Sequence, residues 1–202
     1  MTAAGFDAIE WAAKRAGWHM RSVSVLGLAA VLTGLGLSGA AAQPIVFDEI
    51  RGGLYAHSID EGSFDASRIE DANVELLFSI PSLDEVTLLG QLRPHIGATI
   101  NLGGLESMLY AGMSWTVPLG DTPIFVEAAF GGAVHNGELE GAEYPMRDLG
   151  CRVLFHESLS LGVNITEQAS IMATVEHASH GSICEGDNRG LTNLGVRVGW
   201  KF

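Results

Sequence analysis

The feature that most constrains this chain is a two-residue alternation of apolar and other side chains. It is clearest at the C-terminus, where one face of a predicted strand holds Val196, Val198, Trp200 and Phe202, and the other holds Arg197, Gly199 and Lys201. Such a period places apolar side chains on one side of a β-strand. No stretch of useful length after residue 43 shows the 3.6-residue period of a helix. The alternation therefore indicates an all-β chain and makes parallel βαβ folds unlikely.

Eight segments carry strand signals, with ends uncertain by several residues. The predicted strands are 48–58, 70–79, 92–102, 106–117, 123–134, 148–161, 168–178 and 191–202. Glycines recur inside them, where an open sheet would lose stability but a small, strongly sheared barrel has tight bends and crowded positions. We therefore expect an eight-stranded antiparallel up-and-down β-barrel.

The first part of the chain is typical of an exported protein. Basic residues precede a charge-free apolar run at 22–39, and Ala40-Ala41-Ala42 follows as a cleavage pattern. We interpret 1–42 as a cleaved signal peptide, with Met20 as an alternative start, and 43–202 as one domain. An uncleaved transmembrane helix is the other interpretation, which the short, Gly- and Ala-rich run disfavours.

The balance of charge limits the partners. Residues 43–202 contain 8 basic and 22 acidic side chains, for a net charge of −14. Such a charge argues against nucleic acid as a partner. No stretch in this part is long and apolar enough for a membrane helix, so an integral membrane protein would have to be a closed barrel.

The alternation also fits a soluble lipocalin-like barrel. However, the terminal Phe202 closes an amphipathic strand and resembles the C-terminal assembly signal of bacterial outer-membrane proteins. This favours a transmembrane barrel and implies the barrel assembly machinery as a partner. In that topology the polar segments 59–69, 135–147 and 179–190 face outward from the cell, and the connections 79–91, 118–122 and 164–168 face the periplasm.

Two cysteines fall on the outward side. Cys151 lies near the end of the sixth predicted strand, and Cys184 lies in the last outward segment. In an oxidising envelope a disulfide is the favoured state, with two separate thiols as the alternative. A metal site built from His177, His180, Cys184 and Asp187 fits no standard zinc spacing, so we predict no metal.

His177 and Ser179 fall on the apolar face of the seventh predicted strand, with Ile171, Ala173 and Val175. The alternation thus places a general base and a nucleophile on a face that meets lipid, whereas Glu176 points into the barrel. Their alternative interpretation is as interfacial polar residues at the rim of the apolar band. We expect His95, Glu127 and Arg197 to belong to a polar interior.

Several short motifs occur in the order found in a known family. They are Arg93-Pro94-His95-Ile96-Gly97, Ala111-Gly112-Met113-Ser114-Trp115-Thr116, Phe130-Gly131-Gly132-Ala133-Val134-His135-Asn136-Gly137, and His177-x-Ser179 followed by Asn188-Arg189-Gly190. Together they resemble the lipid A 3-O-deacylase family of eight-stranded outer-membrane barrels. The resemblance covers essentially all of 43–202.

The resemblance implies catalytic roles. His177 would be the general base and Ser179 the nucleophile, and the Asn188 side chain and a backbone N–H near Gly181 would bind the oxyanion. The family has Asn where this chain has His180, which we expect to be a loop residue. The family glutamate that orients the histidine corresponds to Thr192, so the third catalytic role stays open. Asn193 would fit that role only if the register shifted by one.

Two functions follow from the resemblance. The first is a serine-type esterase of the bacterial outer membrane, without a cofactor, that hydrolyses the 3-O-linked hydroxyacyl chain of lipid A in lipopolysaccharide. The second is a catalytically weakened or inactive barrel of the same family that serves envelope structure or binds outer-membrane lipids. The intact His-x-Ser pair favours the first, and Thr192 favours the second. Whether the barrel forms a homodimer stays open.

Overall fold

The computed structural model describes residues 45–59, 66–84, 87 and 89–202. The predicted signal peptide and the alternative start at Met20 lie outside the described residues. The regular secondary structure of this part of the chain is β-strand, apart from a 3₁₀ turn at Ala66–Arg68 and a short helix, α1, at Pro81–Asp84. Neither of these helical segments has the length and apolar character needed to cross a membrane.

Eight strands of 11 or 12 residues build the fold. They are β1 Val46–Ala56, β2 Ile69–Ser79, β3 Gln91–Asn101, β4 Met108–Pro118, β5 Ile124–His135, β6 Val153–Asn164, β7 Ala169–Ser179 and β8 Leu191–Lys201. Each strand pairs with the next, and β1 pairs antiparallel with β8 to close the sheet. The predicted eight-stranded antiparallel barrel is therefore confirmed.

The largest difference from the predicted strands is at β6. The strand begins at Val153 rather than at 148, and it continues to Asn164. The preceding backbone is held by loop contacts: the N–H groups of Leu149 and Gly150 donate to the carbonyls of Glu138 and Leu139. Gly150 also has a φ of 66°, outside the extended region. These residues are thus part of a loop, despite their apolar character.

The connections differ in length between the two ends of the barrel. We call the end that holds 57–59, 66–68, 102–107, 136–152 and 180–190 the loop end, and the other the turn end. The described residues of the segments predicted to face outward from the cell lie at the loop end. The turn end holds the tight connections 119–123 and 165–168 and the longer connection with α1.

The barrel is apolar outside and charged inside. Outward residues such as Leu54, Leu159 and Val198 are each more than half exposed. Inside, Arg51 pairs with Glu127 at 2.5 Å and Arg93 pairs with Glu49 at 2.7 Å. An apolar exterior with a polar lumen is the arrangement of membrane barrels.

The predicted interior residues are all buried, and two of them belong to this ion-pair network. Arg197 contacts Glu75 at 3.0 Å, and Glu127 also accepts a 2.8 Å hydrogen bond from Arg51 Nη2. His95 lies in the same interior, with its ring centroid 5.8 Å from that of Tyr110. The alternation in the sequence thus correctly predicted which side chains point into the barrel and which point outward.

Glu127 contacts all three arginines of this ion-pair network, Arg51, Arg93 and Arg197. Replacing it by glutamine leaves buried guanidinium charge uncompensated. We expect Glu127→Gln to lower the free energy of unfolding by about 3 kcal/mol or more, measured by urea unfolding in lipid vesicles. Glu167→Gln, at an exposed position of the turn end, is the control and should change stability little. An equal effect of both substitutions would contradict the role of the network.

Candidate active site

The outward stripe of β7 leads to two polar side chains at the loop end. Ile171 and Ala173 are exposed, and Val175, His177 and Ser179 are half-buried on the same face. Residues 170, 172, 174, 176 and 178 alternate with them and are buried. The structure therefore places His177 and Ser179 outside the barrel and Glu176 inside, as the alternation predicts.

The strand register places His177 within a row of facing residues. Phe130 of β5 pairs with Glu157 of β6, and Glu157 pairs with His177. His177 in turn pairs with Thr192 of β8. These four outward residues, Phe130, Glu157, His177 and Thr192, are called the histidine row below. Facing pairs of this kind have Cβ atoms about 5 Å apart.

The imidazole of His177 is held from β8. Its Nδ1 lies 2.7 Å from Thr192 Oγ1. A Cβ added at Gly190 would lie 2.8 Å from Cε1 and 3.3 Å from Nε2 of this ring. Gly190 also has a φ of 63°, which favours glycine. Glycine therefore leaves the space that the ring occupies.

The backbone near Ser179 is shaped by a second glycine and an aromatic ring. Ser179 pairs with Phe155 of β6. Gly181 has a φ of 55°, and a Cβ there would be 3.0 Å from the Phe155 ring. Asn188 is exposed, and its Oδ1 accepts a 3.2 Å hydrogen bond from the Gly190 N–H. Gly181 thus lies beside the Ser179 and Phe155 pair, and Asn188 forms the turn into β8.

A disulfide fixes the two loops above this face. It joins Cys151 to Cys184, with Cα atoms 6.0 Å apart, and so ties 136–152 to 180–190. His180 is buried in this loop contact, and its Nδ1 accepts a 3.1 Å hydrogen bond from the Ser182 N–H. Since Cys184 is bridged, it is no thiolate ligand. Within the described ranges, no group of three His, Cys, Asp or Glu side chains is arranged to hold a metal ion.

An outer groove of about 350 Å³ runs from His177 toward the turn end. Its outward lining consists of Ala128, Phe130, Glu157, Leu159, Val175 and His177. The small side chain of Ala128 leaves room at its floor. Phe130 stacks on Phe155 with centroids 5.9 Å apart, which extends the aromatic wall to the residue facing Ser179.

A second polar cluster, which the sequence reasoning missed, closes the interior at the loop end. His57 lies between Asp71 Oδ2, at 2.9 Å, and Glu106 Oε2, at 3.1 Å. Arg147 joins the cluster through Ser58 Oγ and the carbonyl oxygens of Arg189 and Gly190. These side chains come from several loops and strand ends, so no local sequence pattern could reveal them. The cluster supports Gly190, which the His177 ring contacts.

The two carboxylates determine the charge of His57. Burial lowers its pKa, but hydrogen bonds and attraction from Asp71 and Glu106 outweigh that effect and raise the pKa to about 9. Burial also raises the pKa of Glu106, but hydrogen bonds from His57 and from the Arg147 N–H lower it more. His57 is therefore a cation at neutral pH.

Comparisons with known proteins identify a family and support the barrel fold. A family model described as Lipid A 3-O-deacylase (PagL) matches residues 83–201, more than half of the chain. The crystal structure of the outer membrane enzyme PagL is 17% identical, covers 76% of this chain and 99% of its own, and has a TM-score of 0.54. The N-terminal β-barrel domain of Pseudomonas aeruginosa OprF is 10% identical, covers 79% and 100%, and has a TM-score of 0.51. Comparison with curated protein sequences gave no match.

The His57 cluster predicts a pH-dependent stability. Because the folded pKa of about 9 lies above the ordinary value of 6.5, the stabilisation is complete below 6.5 and is lost as pH rises through 9. The difference in unfolding free energy between the parent and His57→Gln should therefore fall by on the order of 3 kcal/mol between about pH 6 and pH 10. Urea unfolding at each pH measures it. A difference that does not change with pH would contradict the charged state of His57.

Proposed function

We propose that this chain, which belongs to the lipid A 3-O-deacylase family, is an outer-membrane esterase that removes the 3-O-linked hydroxyacyl chain of lipid A by serine catalysis. The observation that carries the proposal is the 2.7 Å contact of His177 Nδ1 with Thr192 Oγ1, on the face that also presents Ser179. The apolar exterior supports a location in the membrane that holds this lipid. We expect export by the predicted signal peptide.

The contact with Thr192 favours the tautomer that the reaction needs. When Nδ1 donates its proton to Thr192 Oγ1, Nε2 is the unprotonated nitrogen and is able to accept the Ser179 proton. The Ser179 oxygen then attacks the ester carbonyl carbon and forms a tetrahedral intermediate. Its collapse expels the sugar oxygen, which takes the proton back from His177. Water then hydrolyses the acyl-serine, and His177 again acts as the general base.

The oxyanion of the intermediate requires donors near Ser179. Gly181 lies beside the Phe155 ring, and Phe155 faces Ser179, so a backbone N–H near Gly181 is the first candidate. The Asn188 amide nitrogen is the second candidate, because the hydrogen bond from Gly190 uses only its oxygen. Each such donor typically contributes about 3 kcal/mol to the transition state. No metal or cofactor takes part in this scheme.

The outer groove fits the acyl chain that is cleaved. It begins at His177, and its outward lining is apolar except for Glu157 and His177. A chain of methylene groups in this groove would leave its ester carbonyl at the loop end, where Ser179 lies. Apolar contact of this kind contributes roughly 0.8 kcal/mol per buried methylene group.

The replacement of the family glutamate by Thr192 favours a weakened barrel as the second function. A hydroxyl orients the imidazole but does not stabilise an imidazolium as a carboxylate does. In a serine protease, loss of the orienting acid lowers the rate about 10⁴-fold. The decisive question is thus whether this chain hydrolyses lipid A at all.

Mass spectrometry of lipid A tests the esterase. The chain, Ser179→Ala and His177→Ala are expressed in a bacterial host without such an activity. We expect the parent to remove one 3-hydroxyacyl group, and either substitution to lower the rate about 10³-fold or more, since both groups act in one step. Ser82→Ala, at an exposed position of α1, is the control and should retain activity. Heat-modifiable migration on gels shows that each barrel is folded. Unchanged lipid A with a folded parent would favour the weakened barrel.

Filling the groove tests where the acyl chain binds. Ala128→Phe places a large ring on its floor and should lower kcat/KM for a long 3-hydroxyacyl ester by about tenfold or more, with a smaller effect on a short one. Ala98→Phe makes the same change on the outward face of β3, away from the groove, and should leave kcat/KM unchanged. If the two variants had equal activity on long and on short esters, the acyl chain would bind outside the outer groove.

A further inference from the structure

Glu157 is an unusual residue for its place on the barrel. It lies outward on β6, and its outward neighbours along the strand are Phe155 and Leu159. A carboxylate among lipid-facing side chains lowers barrel stability unless it lies near an interface or has a partner. The interior ion pairs involve inward residues and therefore do not explain it.

The cross-strand partner of Glu157 is His177. Facing residues of antiparallel strands have Cβ atoms about 5 Å apart, and a glutamate side chain is long enough to span that distance. Thr192 faces His177 from the other side, on β8. The histidine row therefore places Glu157 at the position that faces His177, on the strand opposite to Thr192.

From this arrangement we infer that Glu157 is the carboxylate that stabilises the His177 imidazolium during catalysis, while Thr192 orients the ring. The two roles that one acid performs in other serine hydrolases are then divided between two strands. This inference rests on the proposed function, since it concerns the same base and nucleophile. Glu157 is a positioning residue, because it acts on the reaction through His177.

The surroundings of His177 support an electrostatic role. β8 offers Thr192 and Leu194 on the outward face, neither of which is charged, and the buried Glu176 lies on the inner face of β7. The loop before β8 ends in Asp187, Asn188, Arg189 and Gly190, so Arg189 is the charged residue closest in sequence to Thr192. The imidazolium formed when Ser179 loses its proton therefore has Glu157 as its outward anion. Low dielectric near lipid strengthens that attraction.

A double-mutant cycle tests the inference. The parent, Glu157→Gln, Thr192→Glu and the double variant are compared by kcat and KM for hydroxyacyl release. We expect Glu157→Gln to lower kcat about tenfold or more with little change in KM, because the imidazolium forms only after substrate binds. In the Thr192→Glu background the same substitution should change kcat less than about twofold, because the new acid contacts the ring directly.

The pH profile separates an electrostatic effect from a structural one. A negative charge beside the base favours its protonated form, so the acidic limb of the kcat profile should move to lower pH in Glu157→Gln. Glu70→Gln is the matched control: Glu70 lies near the loop end of β2, four strands from β6, and its loss should leave kcat unchanged. An unchanged kcat and profile in Glu157→Gln, or an equal loss of kcat in both backgrounds, would overturn the inference.

A substrate-independent measurement distinguishes this inference from the proposed function. The rate at which a fluorophosphonate labels Ser179 reports activation of the hydroxyl by His177 without any lipid. Labelling that slows in Glu157→Gln but not in Glu70→Gln supports the inference even if lipid A is not the substrate. Hydrolysis of lipid A with no dependence on Glu157 would retain the function and reject the inference. Absence of both labelling and hydrolysis in the folded parent would reject both.

Discussion

Closure of β1 against β8 is the constraint on which the other features depend. It pairs every strand on both sides, so no sheet edge is left with unpaired backbone groups. Because the ladders share their strands, the registers of all pairs are fixed together. A slip of one residue would turn Arg197 outward and Val198 inward. The same register places His177 between Glu157 and Thr192, so the candidate site depends on closure as directly as the core does.

The charged interior is consistent with a single register of the strands. In the ion-pair network, three buried arginines contact three buried glutamates, and Glu127 contacts all three arginines. A buried ion network adds little net stability compared with well-packed apolar side chains, because desolvation offsets the attraction between the charges. Its larger effect is on alternative strand registers, because a shifted register would separate these charges or expose them to lipid. The network therefore selects one register, and the outer face follows from it.

The sequence predicted the fold well because the two-residue period of a strand, and the face on which each side chain lies, are local properties. It correctly placed Ser179 outward and Glu176 inward from spacing alone. It mispredicted the start of β6, because Leu149 and Gly150 bond to Glu138 and Leu139 of the same loop rather than to a neighbouring strand. It did not reveal the role we assign to Glu157, because the pairing of β6 with β7 sets which residue faces His177. The His57 cluster was missed for a similar reason, since its members meet only after the barrel closes.

A candidate catalytic histidine on the outside of a barrel has a particular set of neighbours. In an enclosed cleft, side chains approach a histidine from many directions, but here its partners come from the same strand two residues away or from the facing positions of the two adjacent strands. The Cβ atoms at both facing positions lie about 5 Å from the Cβ of the histidine. An acid lost from one of them is therefore replaceable by an acid at the other, with no change of backbone. Such an exchange would leave a residue without a carboxylate on one side of His177 and an acid on the other. Thr192 and Glu157 have this arrangement. The absence at position 192 of the glutamate that the family resemblance implies is then weaker evidence against the proposed catalysis than it would be in a cleft.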